Sequence, residues 1–84
     1  MRKLVLMVAI AISLGASPIF AQSFQDGAAA AQSGNYAEAV KIWKPLADQG
    51  DVRAQYNLGV MYDKGRGADQ DYARARSWYR KAAE

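Results

Sequence analysis

Ser77 and Lys81 lie four residues apart, one helical turn, and a serine beside an uncharged lysine is a minimal pair for acyl transfer. Nothing around them would desolvate the lysine. The spacing also differs from the Ser-x-x-Lys of β-lactamases, because the residue in that place is Arg80. Two polar residues on a solvated helix face is the preferred reading. The chain has no histidine and no cysteine, which removes the common general base, the thiolate nucleophile and the usual zinc ligands. Beyond residue 21 only Ser23, Ser33 and Ser77 remain as hydroxyl nucleophiles. Asp63, Asp69 and Asp71 flank a glycine-containing loop but lack the spacing of a calcium loop. Gly65-x-Gly67 has no preceding strand and no lysine–threonine pair after it, so it reads as a turn. No catalytic, cofactor or metal site is expected.

Binding residues are easier to find. Arg53, Tyr56, Asn57, Val60 and Lys64 fall at i, i+3, i+4, i+7 and i+11, a single stripe along a helix. A tyrosine and an asparagine flanked by cations suit contacts to an extended peptide. The plainer alternative is that Tyr56 and Val60 pack on a neighbouring helix. Arg74, Arg76, Arg80 and Lys81 form a second cluster, suited to an acidic partner or anionic lipid. Their simpler role is to keep an outer helix soluble and to complement its negative end.

Four helices must carry these residues. Ser23 caps a first segment, Phe24 to Ser33, rich in alanine, and Gly34 supplies the left-handed residue that ends it. Asn35 caps the second, with Glu38 three residues on as its capping-box partner. That helix runs through Ile42, Trp43 and Leu46 to Gln49, and Gly50 stops it. Pro45 lies inside it and predicts a kink or loosened turn, since its nitrogen cannot bond back to Lys41. Asp51 caps the third helix, Val52 to Lys64, whose buried stripe is Ala54, Leu58 and Tyr62 with Met61 alongside. Gly59 on the stripe's edge predicts close approach of a partner helix. Gly65-Arg66-Gly67 ends that helix, Ala68 to Gln70 complete a loop longer than the Gly34-Asn35 turn, and Asp71 caps the fourth. There Tyr72, Ala75, Tyr79 and Ala82 share a face, with Trp78 next to it. No alternating strand pattern occurs.

The second and fourth helices are near copies. YAEAVKIWKPLAD, from Tyr36, matches YARARSWYRKAAE, from Tyr72, at an offset of 36 residues, and such a period marks a helical-repeat array. From Ala54 onward the chain resembles the Sel-one-like repeat, a relative of the tetratricopeptide repeat. The matching positions are Ala54, Leu58, Gly59, Tyr62, Gly65, Gly67, Asp71, Ala75, Trp78, Tyr79, Ala82 and Ala83. Phe24 to Gly50 is similar to a degenerate first repeat. The resemblance implies an all-α solenoid of antiparallel helix-turn-helix repeats, about two here, wound as a right-handed superhelix and used as a protein-interaction scaffold. It also implies that the first helix of each pair lines the concave surface, so the stripe from Arg53 to Lys64 would face a bound protein or peptide. Exported bacterial members are associated with envelope signalling, polysaccharide secretion and host interaction. A cysteine-rich branch is connected with penicillin binding and β-lactam hydrolysis, which makes a hydrolase of β-lactams or peptidoglycan fragments the alternative function. This chain lacks those cysteines.

Arg2 and Lys3, the apolar run Leu4 to Leu14, the breakers Gly15 and Pro18, and Ala21 together read as a secretory signal over residues 1–21, cleaved or retained as an anchor. The expected layout is that signal, a first repeat over 22–50 and a second over 51–84, in a bacterial periplasmic or secreted protein. Removing Arg2 and Lys3 leaves nine cations against eight acids, a net +1. That is too little basic charge for a nucleic-acid partner, and no stable membrane span is expected after cleavage. The second repeat has no stop after Glu84. Two repeats make a thin core, so either further repeats follow or the protein leans on a partner or on itself.

Overall fold

The computed structural model describes residues 22–84, and the leader expected over 1–21 lies outside them. The described residues form four helices and no strand: α1 (Phe24–Gln32), α2 (Tyr36–Asp48), α3 (Val52–Lys64) and α4 (Tyr72–Ala83). Each helix packs on the next in chain order, α1 on α2, α2 on α3 and α3 on α4, giving an all-α array of about two helix-turn-helix repeats. No helix among the described residues is long and apolar enough to cross a membrane.

The punctuation explains the boundaries. Ser23 caps α1 in a full capping box, its backbone N–H donating to Asp26 Oδ2 at 2.8 Å. Asp51 accepts from the backbone N–H groups of Arg53 and Ala54 at 2.9 and 3.2 Å, and Asp71 from that of Arg74 at 3.0 Å. Helix α2 runs through Pro45 without a break.

The capping box expected at Asn35 does not form, and Asn35 makes no side-chain cap bond. Its own N–H is already committed, donating to Ala30 O at 2.8 Å while Gly34, at φ +83°, donates to Ala31 O. That pair closes α1 as a Schellman turn, and nothing is left for Glu38 to accept. Asp51 holds the same double post. Its N–H closes α2 on Leu46 O at 3.0 Å while its carboxylate opens α3.

One apolar cluster runs through the molecule, built from Ala39, Trp43, Ala47, Ala54, Leu58, Met61, Tyr62, Ala75 and Trp78. Burying Leu58 alone is worth roughly 2 kcal/mol. The alanines let the helices approach closely. Gln55 is the buried polar residue of this core, and its amide donates to Ala47 O at 3.1 Å, near the end of α2 where carbonyls lack helical partners. Tyr72 departs from the expected core face: it is 61% exposed. It is the first residue of α4, and its hydroxyl accepts from Gln70 Nε2 at 3.0 Å, an amide that also donates to Asp63 O of α3 at 2.8 Å.

Candidate functional site

Each repeat is locked by the same three groups. In the first, the Trp43 indole presses on Gly27 closely enough that a β-carbon there would overlap it. The indole stacks on Phe24 with centroids 5.4 Å apart and donates from Nε1 to Phe24 O at 3.1 Å. In the second, Tyr79 presses on Gly59, where a β-carbon would come within 2.5 Å of Cε1. Tyr79 packs on Tyr56 at 5.4 Å and donates its hydroxyl to Asp63 Oδ2 at 3.4 Å. Burial, then the negative charge of Asp63 and the bond to it, push the Tyr79 hydroxyl above its ordinary pKa.

The trios Phe24/Gly27/Trp43 and Tyr56/Gly59/Tyr79 correspond, although the first helices are offset by 32 residues and the second by 36. The four-residue difference is the loop between α3 and α4. It comprises residues 65–71, against residues 33–35 in the first repeat. That loop reaches back over α2: a β-carbon on Gly67 would strike the Tyr36 carbonyl and the Val40 side chain. The Arg66 guanidinium lies 5.2 Å from the Tyr36 ring centroid.

The two trios differ in cover. Trp43 is 2% exposed, whereas Tyr79 is half-buried and forms a wall of an open groove of about 800 Å³. Phe24 of α1, Val52, Arg53, Tyr56 and Asn57 of α3, and Tyr79, Ala82 and Ala83 of α4 line it. Val52 and Tyr56 are each 55% exposed, so the floor is an uncovered apolar surface one helical turn long.

Arg53 spans the groove's edge. Its guanidinium sits 4.4 Å from the Phe24 ring centroid and pairs with Asp51 at 3.2 Å. The side-chain bond from Arg53, with backbone N–H bonds from Ala54 and Arg53, holds the Asp51 carboxyl below its usual pKa. The pair and the ring contact place the cation at the groove's edge.

Of the stripe anticipated for binding, Arg53, Tyr56 and Asn57 come together in this groove. Val60 packs against the core instead, and Lys64 is exposed at the far end of α3. The groove bends toward α1 and α4, which add Phe24, Tyr79, Ala82 and Ala83. Pairing the first helices at their own offset, Phe24 with Tyr56 and Gly27 with Gly59, would have pointed to this aromatic wall.

The lining supplies two phenol hydroxyls, one amide and one guanidinium. Ser77 and Lys81 are both exposed, and the Lys81 ammonium lies 4.6 Å from the Trp78 ring centroid. Arg74 is held over Tyr62 at 5.3 Å and against Asp71 at 3.8 Å. No group of three or more metal-ligating side chains assembles among the described residues.

No curated protein and no solved structure matches the chain significantly. The family model of the Sel1 repeat matches twice, over residues 21–51 and 52–84. The junction between the matches falls where Asp51 closes α2 and opens α3. With two consecutive repeats covering most of its length and the same glycine–aromatic lock in both, the chain belongs to the Sel1 repeat family.

Proposed function

We propose that this chain is an exported interaction module that holds an extended segment of a protein partner in the groove across α1, α3 and α4. Sel1 repeats generally mediate protein–protein contacts. The observation carrying the finer reading is the exposed Val52–Tyr56 floor, flanked by the Asn57 amide and by an Arg53 paired with Asp51. Rigid aromatics and a positioned arginine concentrate binding energy at low entropic cost. In this reading residues 1–21 direct export to the periplasm or the medium, and the mature chain begins at Gln22.

The test is a peptide selected from a random display library on the purified protein, then titrated against variants. Tyr56→Ala weakens it at least about ten-fold, about 1.4 kcal/mol. Arg80→Ala, which does not line the groove, leaves it unchanged. Equal affinity for wild type and Tyr56→Ala would refute the site. The mass of protein recovered from outside the cytoplasm tests the export reading, since a retained leader contradicts cleavage after Ala21.

A further inference from the structure

Tyr72, Arg76, Tyr79 and Ala83 recur along α4 at spacings of four, three and four, the seam spacing of a two-stranded coiled coil. Thirty-six residues earlier the same seam reads Tyr36, Val40, Trp43 and Ala47, and there it is covered. Trp43 and Ala47 are buried, and Tyr36 and Val40 are half-buried where Gly67 crosses them. On α4 Tyr72, Arg76 and Ala83 are exposed. A depression of about 300 Å³ lies along the seam, with Asp63, Tyr72, Arg76 and Tyr79 in its walls. The ion pairs among the described residues join Lys44 to Asp48, Arg53 to Asp51 and Arg74 to Asp71. Arg76 and Asp63, of opposite charge in one depression, take part in none of them.

We infer that this seam is a self-association surface, with α4 of a second copy lying antiparallel along it. A two-fold axis passing between Ser77 and Trp78 sets the register. It places Tyr72 against Ala83 of the second copy, large against small, and Arg76 over the ring of Tyr79 of the second copy, a cation–π pair. The same guanidinium enters the depression holding Asp63 of the second copy. Both contacts occur twice by symmetry, as an isologous interface requires. An ordinary apolar helix fits the seam worse, because Arg76 stands where the covered seam has Val40 and such a helix brings neither an anion nor an aromatic face to it. Helix α1 of a second copy is also a poor occupant. At the places where α3 carries buried Leu58 and Tyr62, α1 carries Asp26 and Ala30.

Sedimentation equilibrium on the purified protein, from roughly 10 µM to 1 mM, brackets the weak affinity of an interface smaller than about 1,200 Å². The mass rises to two chains at the top of this range. Arg76→Asp raises the dimer Kd at least ten-fold with unchanged helicity, since the residue is exposed. Combining Arg76→Asp with Asp63→Arg restores assembly. A single-chain mass throughout, a mass beyond two chains, or a dimer indifferent to Arg76→Asp would each overturn the inference. Arg76 does not line the peptide groove and Arg53 is not on the seam. The seam and the groove share Tyr79 and Ala83, so the two failures are told apart by residues that belong to one surface alone, Arg76→Asp for the dimer and Arg53→Glu for the peptide site.

Discussion

Replacing Gly27 by alanine sets two effects against each other. Alanine in a helix interior is favoured over glycine by up to about 1 kcal/mol. Against this, the new β-carbon lands within the indole of Trp43, at Nε1, Cδ1 and Cε2. That ring is 2% exposed, so it can yield only by giving up other contacts. Losing the Nε1 bond to Phe24 O costs about 1 kcal/mol, and losing the Phe24 stacking costs about 0.5–1.5 kcal/mol. If the ring stays, the overpacking itself costs about 1–3 kcal/mol. The expected net is a destabilisation of about 2 kcal/mol. For the 63 residues from Gln22 to Glu84, unfolding entropy near 2.1 cal/mol/K per residue makes that a fall in Tm of about 15 °C. Gly59→Ala is the matched control. Its β-carbon meets Tyr79 as closely, but that ring borders the open groove and can swing outward, so the cost is smaller than for Gly27→Ala. The loss of the long Asp63 bond is set against the helix gain of alanine, each about 1 kcal/mol. Melts followed by circular dichroism at one fixed protein concentration decide the matter. A Gly27→Ala protein that melts at or above the wild-type temperature would show that Trp43 has room to move, and the argument fails.

Two further outcomes follow from the charges. Because the folded pKa of Asp51 is depressed, chiefly by the Arg53 side chain, its contribution is present above the ordinary carboxylate pKa and is lost as pH falls through the lower folded value. Thermal melts of Asp51→Asn should therefore lie below wild type at pH 7 and converge toward it in acid; parallel curves at all pH values contradict the assignment. The Tyr79 hydroxyl is raised, first by burial and then by Asp63, so its contribution is intact below the unfolded phenol pKa and disappears as pH climbs through the folded one. Ultraviolet titration of the five tyrosines should show one ionising last, absent in Tyr79→Phe. A late-titrating phenol that survives this substitution assigns the shift to another residue.

The helices were legible because their ends are written in short-range chemistry. Ser23, Asp51 and Asp71 cap by local bonds, and Gly34, Gly50 and Gly65 adopt positive φ where a helix must stop. Ala54, Leu58, Met61 and Tyr62 are buried as their spacing predicts. Asn35 misled because a capping box is judged from four residues, while its N–H was taken by Ala30, five positions back. Tyr72 misled because periodicity places a residue on a face without saying whether a neighbour covers it, and it is 61% exposed. The groove was only partly visible for a related reason. Arg53, Tyr56 and Asn57 share one helix and show in its pattern, but Phe24, Tyr79, Ala82 and Ala83 reach it from two others. The unequal loops hid the correspondence of the first helices, since a single period of 36 cannot align both halves of a repeat whose turns differ by four residues.

Asn35 and Asp51 each finish one helix with a backbone N–H and stand as the first residue before the next. These corners contain no slack. One inserted residue at either would separate the N–H that closes one helix, on Ala30 O or Leu46 O, from the start of the next. Length changes can therefore accumulate only between Gly65 and Asp71, where the two repeats already differ. Opening the corner at Asp51, which joins the two hairpins, therefore breaks either its N–H bond to Leu46 O or its cap bonds to Arg53 and Ala54.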